Sequence, residues 1–285
     1  MQPKRAAAVY YTRMRRTIAA LVLVLAMPAP AAAWGAAAHR MIMDRAFALL
    51  PPAVRELFDG RREELVLRVN DPDLWRVAGW DDGPNHFLDF DEYGAYPFVA
   101  LPREYGAAIE KYGLEPLRRN GVLPWRIAEQ YGNLRRAFAD RQGPYGVGNA
   151  VIYGSALAHY IQDATQPLHA TTNYDGQSTG NRGVHDRFER DLIARVQARL
   201  KIAPGDVVPL TNPRDVAFET LLSSFQQVDR VLQADRTAAN GQTVYDDAYY
   251  ERFYTNIRGV LEERLAIAVR LTAGLIAGAW QQAGI

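Results

Sequence analysis

Along most of the chain, apolar positions recur every three or four residues, and no sustained strand-like alternation appears. The spacing predicts helices over 39–50 and 52–67, parted at Pro51-Pro52. Amphipathic helices are expected over 104–111 and 124–139, with Pro124 in a first turn where its missing N–H costs nothing. The stretch 147–165 is apolar nearly all round, as a buried central helix would be, and Pro167 stops it. Further helices are predicted over 184–200, 213–234 and 246–282, with Asn212 as an N-cap. Between 70 and 102, Asp, Gly and Pro crowd together without a period, which predicts a long functional loop; 171–183 is a shorter polar one. The run 265–280 is strongly apolar, but Arg270 interrupts it and it is short for a membrane span, so core packing is expected. The fold class predicted is all-α, a single multi-helix domain.

Residues 1–33 have a different character. Lys4, Arg5, Arg13, Arg15 and Arg16 precede an apolar run over 18–27, and Ala31-Ala32-Ala33 follows Pro28 and Pro30. This is the order of a cleavable secretory signal, with Met14 an alternative start and Arg15-Arg16 a hint of twin-arginine export. About ten apolar residues are too few to cross a bilayer. The expectation is an exported protein, periplasmic or secreted, with residues 34–285 as its mature domain and no transmembrane anchor after cleavage. Removing five positive charges leaves 28 basic against 32 acidic residues, a net of −4, which is no basic nucleic-acid surface. The chain contains no cysteine, so disulfides, thiolate ligands and a cysteine nucleophile are excluded.

The five histidines then matter most: His39, His86, His159, His169 and His185. His159 and Asp163 are four apart on a predicted helix, so both emerge from one face within about 6 Å, and His185 and Glu189 repeat that spacing. His169 lies between them, just after Pro167. Where thiolate is absent, zinc takes imidazole nitrogen and carboxylate oxygen, so these pairs predict a metal cradle. A serine hydrolase fits less well, because no Gly-x-Ser-x-Gly elbow exists and Ser155 falls inside the central helix.

The segment from Ala158-His159 through Asp163 to Leu168-His169 resembles the central motif of the zinc-dependent phospholipase C and single-strand nuclease superfamily: a histidine, three residues, an aspartate, five residues, a histidine. Trp34-Gly35 with His39 resembles that family's mature N-terminus. So do Asp71-Pro72-Asp73 and Pro84-Asn85-His86-Phe87-Leu88-Asp89. The resemblance implies three zinc ions per chain. Asp73, His86, His159 and Asp163 would hold the first, and His169, His185 and Glu189 the second. The third would take the α-amino nitrogen and carbonyl of Trp34 with His39 and Asp163. Asp71 is the alternative to Asp73, which is favoured because Pro72 precedes it. Structural zinc contributes about 10 kcal/mol or more to folding, a staple for an exported chain without disulfides.

The implied activity is hydrolysis of phosphate esters, with Asp73 as the catalytic residue that accepts a proton from the attacking water. Glu189 at the second group leans toward a phospholipase C. The short spacing from Trp34 to His39 leans toward a single-strand endonuclease or nucleotidase. The expected partner is accordingly a phospholipid or a nucleic-acid phosphodiester, and no obligate protein partner is evident. Trp80, Tyr93, Tyr96, Phe98 and Tyr174 are expected in loops near the site, either packing, which is commoner for loop aromatics, or contacting bases or lipid. A non-catalytic zinc-binding protein of the envelope is the third possibility.

Overall fold

A computed structural model describes residues 34–284; the predicted signal segment lies outside them. The helices are α1 (Ala36–Ala48), α2 (Pro52–Leu57), α3 (Arg62–Arg68), α4 (Asp71–Val77), α5 (Tyr105–Tyr112), α6 (Leu114–Arg119), α7 (Leu123–Ala139) and α8 (Gly146–Thr165). After them come α9 (Val184–Asp186), α10 (Ile193–Val196), α11 (Pro213–Phe225), α12 (Val228–Ala239) and α13 (Asp247–Gln282). Short 3-10 turns occupy Gly83–His86, Phe90–Tyr93 and Pro167–Ala170. The described residues contain no strand and form one unit. None of their helices is long and apolar enough to cross a membrane.

Helix α8 is the centre, as its all-round apolar sequence requires. From Gly154 to Thr165 every residue is buried, and α7, α11, α13, α1 and α3 pack around it. The extended segment before α11 lies directly on α13. A Cβ on Gly278 would come within 1.9 Å of the Leu210 carbonyl oxygen, and Leu210 N–H donates to the Gly274 carbonyl (2.9 Å). Only glycine allows this approach.

Three expectations need correction. The loop predicted over 70–102 contains α4, whose first turn holds Pro72 and the acidic Asp71 and Asp73, all favourable at a helix N-terminus. The helix predicted over 52–67 breaks at Gly60, which takes a positive φ of 73°. The helix predicted over 213–234 is interrupted at Gln226-Gln227 and resumes as α12. Asn212 does occupy the N-cap position of α11, but its amide donates to Asp215 and makes no cap bond.

Two buried arginines fix the elements that carry the site. Arg264 on α13, 1% exposed, donates to the Thr165 carbonyl at the end of α8 (2.9 Å) and to Ser224 Oγ (2.6 Å) and Ser223 Oγ (2.9 Å) on α11. Burial pushes its pKa down to about 10. Between α9 and α10 the chain winds as a π-helix over Arg187–Leu192. Arg187, which lies between His185 and Glu189 in sequence, pairs with Asp235 on α12 (2.9 Å).

Candidate metal centre

Helix α8 delivers His159 and Asp163 one turn apart, both fully buried. Helix α1 brings His39 alongside, its ring stacked on His159 with centroids 4.2 Å apart. The turn over 83–86 brings His86, and the first turn of α4 brings Asp73. Asp163 is the hub. Its Oδ2 faces His86 Nδ1 (3.0 Å) and His159 Nε2 (3.3 Å), while its Oδ1 faces His39 Nε2 (3.3 Å). Asp73 Oδ1 is 4.0 Å from His86 Nδ1 and groups with His39 and His159. Asp71 instead turns to Arg68 (2.8 Å), which separates the two candidate aspartates.

A second group lies beyond the end of α8. His169 comes from the turn after Pro167, and His185 and Glu189 from α9 and the π-helical segment. Glu189 Oε2 faces His185 Nε2 (2.9 Å) and His169 Nε2 (3.8 Å), and the two rings stack at 5.1 Å. The groups are joined through backbone: His169 Nδ1–H donates to the His86 carbonyl (2.7 Å), and Leu88 N–H donates to the His169 carbonyl (2.9 Å).

Each histidine ties one ring nitrogen to an outer acceptor. His39 Nδ1 meets Gln162 Oε1 (2.7 Å), His159 Nδ1 the Val69 carbonyl (2.8 Å) and His185 Nδ1 the Tyr174 carbonyl (3.1 Å). His86 Nε2 meets Asp82 Oδ2 (2.9 Å). A carbonyl or carboxylate only accepts, so the outer nitrogen carries the proton and the inner one is bare in a neutral ring. With both rings neutral, His159 Nε2 and His86 Nδ1 would present lone pairs to each other at 3.1 Å, with Asp163 Oδ2 beside both. His39 Nε2 and Asp163 Oδ1 are buried without a hydrogen bond among the described residues. Such convergence of acceptors is satisfied either by a proton on one of the rings or by a bound cation.

The electrostatics follow from the same geometry. Burial opposes charge on His86, yet Asp163 and Asp82 outweigh it and push its pKa up to about 9. Burial likewise opposes charge on Asp163, but His159, His39 and His86 hold it well below the usual carboxylate range. Glu189, against the same penalty, is drawn down to about 2 by His185 and His169. Three groups could hold a metal ion: His39, Asp73 and His159; His86, His159 and Asp163; His169, His185 and Glu189. Nitrogen and oxygen donors without thiolate fit zinc.

Trp34 is fully buried, and its indole Nε1–H donates to the Gln162 carbonyl (2.9 Å) and Thr165 Oγ1 (3.2 Å). That pins residue 34 against the turn of α8 that carries Asp163. Of the aromatics expected around the site, Tyr93 and Phe98 are core residues, 3% and 4% exposed. Tyr96, Trp80 and Tyr174 stand out into solvent, and the Tyr174 ring lies 5.9 Å from His185. The outer partners Asp82, Gln162 and Gln166 were not among the expected site residues. Gln166 donates to Glu189 Oε2 (2.9 Å), and only its neighbourhood to Pro167 and His169 hinted at a role.

The fold is similar to that of the alpha-toxin of Clostridium perfringens, isolated from avian strain SWCP, with a TM-score of 0.51 and 16% identity. The match covers 89% of this chain and 64% of that one. At that identity the likeness shows a shared helical fold. No family model matches the chain, and no curated protein matches it.

Proposed function

We propose that the chain is an exported, zinc-dependent hydrolase of phosphodiesters whose substrate is a phospholipid. The observation that carries this is Asp163, with one oxygen toward His39 and the other toward His86 and His159, as a carboxylate shared between two ions would be. Asp73, His86, His159 and Asp163 would hold the first ion, and His169, His185 and Glu189 the second. His39, Asp163 and the α-amino and carbonyl groups of Trp34 would hold the third. Export with removal of residues 1–33 would create that amine. Bound zinc would supply a Lewis acid for the phosphoryl oxygens and make water acidic enough to attack near neutral pH.

The chain's own residues would do the rest. Asp73, 8% exposed and held by Arg76 (3.3 Å), would take the proton of the attacking water. The outer acceptors keep five histidines in one tautomer, so no reorganisation is needed as charge develops. A lipid is favoured over a nucleic acid by the surface beside Asp73. Leu74 and Val77 on α4 are 60% and 70% exposed, with Trp80 at 65%. Aliphatic side chains cannot stack on bases, whereas aliphatics with tryptophan suit a lipid interface.

The test is hydrolysis by the purified mature protein of phosphatidylcholine vesicles and of single-stranded DNA, with and without chelator. Chelator-sensitive release of phosphocholine is expected. DNA cleavage without lipid hydrolysis would replace the phospholipase with a nuclease, and metal binding with neither activity would leave a non-catalytic zinc protein.

A further inference from the structure

We propose that Asp82 is a positioning residue for the metal group: its carboxylate fixes the His86 proton on Nε2, aims the bare Nδ1 at Asp163 and His159, and sets how tightly that group holds its cation. This rests on the metal-binding part of the proposed function and adds to it a residue outside the ligand set.

Asp82 differs in kind from the other outer partners. His39, His159, His169 and His185 lean on neutral oxygens, the amide of Gln162 and the carbonyls of Val69, His86 and Tyr174. His86 alone leans on a carboxylate, at 2.9 Å. It is also the one histidine that turns Nδ1 inward, because the turn over 83–86 brings its Nε2 back to Asp82, four residues earlier. An anionic acceptor pulls on the Nε2 proton and raises electron density at Nδ1, which strengthens that nitrogen as a donor to a metal.

Asp82 is itself held in place, 5% exposed. The Tyr160 hydroxyl donates to it (2.8 Å to Oδ2), and Asn85 Nδ2 donates to Oδ1 (2.7 Å). Arg126 Nη2 lies 3.6 Å away and balances part of its charge. Tyr160 is the neighbour of His159 on α8, and Asn85 is the neighbour of His86. The carboxylate thus ties the turn that carries one histidine to the helix that carries the other.

The experiment compares metal affinity of the wild-type mature protein and Asp82→Asn, by competition with a chromophoric zinc chelator. Asparagine keeps the shape and can still accept from His86, but it removes the charge. The expected result is about a tenfold to hundredfold weaker affinity at one site, with the other sites unchanged. Equal affinities would overturn the proposal, since a merely structural contact would survive in the amide. A second measurement needs no variant: nitrogen-15 correlation spectra of the histidine rings in the zinc-loaded wild-type protein. His86 should be bound through Nδ1 and protonated at Nε2, with the other four the reverse. His86 bound through Nε2 would overturn the proposal even if the variant failed to fold. A wild-type protein that binds no metal at all would instead remove the proposed function.

Discussion

Replacing Asp235 with alanine should weaken the fold and, through it, the second histidine group. Asp235 is 2% exposed and Arg187 5%. Arg187 donates to Asp235 from Nε (3.0 Å) and Nη2 (2.9 Å), Asn181 Nδ2 donates to Oδ2 (2.6 Å), and the Tyr249 hydroxyl donates to Oδ1. Without the carboxylate the guanidinium stays buried with no anionic partner, leaning on the carbonyls of Asn181 and Arg182, the Tyr249 hydroxyl and the Tyr245 ring (3.9 Å). Breaking a buried pair in this way costs about 3–5 kcal/mol. In a domain of this size each kcal/mol moves the melting midpoint by about 2–4 °C, so a fall of about 6–20 °C is expected. Arg187 lies midway between His185 and Glu189, so zinc should also leave the variant at lower chelator concentration. Thermal unfolding with parallel metal analysis reads both effects. Removing the two charges together, as Arg187→Met with Asp235→Leu, should recover much of the stability. A loss below about 1 kcal/mol for the single variant, or a double variant no better than the single, would show that the pair does not anchor the π-helical segment.

Asp89 gives a pH test that does not depend on the ligand histidines titrating. Burial, then the charges of Asp91 and Glu92, push its pKa up to about 7. A raised carboxyl contributes stability below its unfolded value and loses it as pH rises through about 7. Asp89→Asn should therefore gain on the wild type from pH 5 to pH 8 in urea titrations; a constant gap would refute the shift. His159→Ala should reduce hydrolysis far more than Tyr96→Ala, and comparable losses would argue against His159 as a ligand. Any residue added before Trp34 turns its amine into an amide without a free lone pair, so a tagged protein should bind about one zinc fewer until the tag is removed. Equal zinc in the tagged and trimmed proteins would exclude Trp34.

Much of the site's layout was legible because helix geometry converts spacing into proximity. His159 with Asp163, and His185 with Glu189, had to share a face, and α8 had to be central because no side of it is polar. The joining of His39, His86 and Asp73 to Asp163 was reachable only through the family resemblance, since loop and turn residues carry no periodicity. What stayed hidden depends on tertiary contact. The outer acceptors for His159, His169 and His185 are backbone carbonyls, which have no sequence signature. Asp82 read as one of many acidic loop residues, and only the fold turns it onto His86 and Tyr160. Helix α4 was masked because Asp71-Pro72-Asp73 signals a turn as readily as a helix start. Spacing also left Asp71 and Asp73 equivalent; in the fold Asp73 groups with His39 and His159, while Asp71 pairs with Arg68.

The most direct measurement is the metal content of the mature protein, purified without chelator and counted by elemental analysis alongside its melting temperature. About three zinc ions per chain are expected, lost together with stability when a strong chelator is added. A chain that carries no metal, and melts at the same temperature with chelator as without, would contradict the metal centre and the activity built on it.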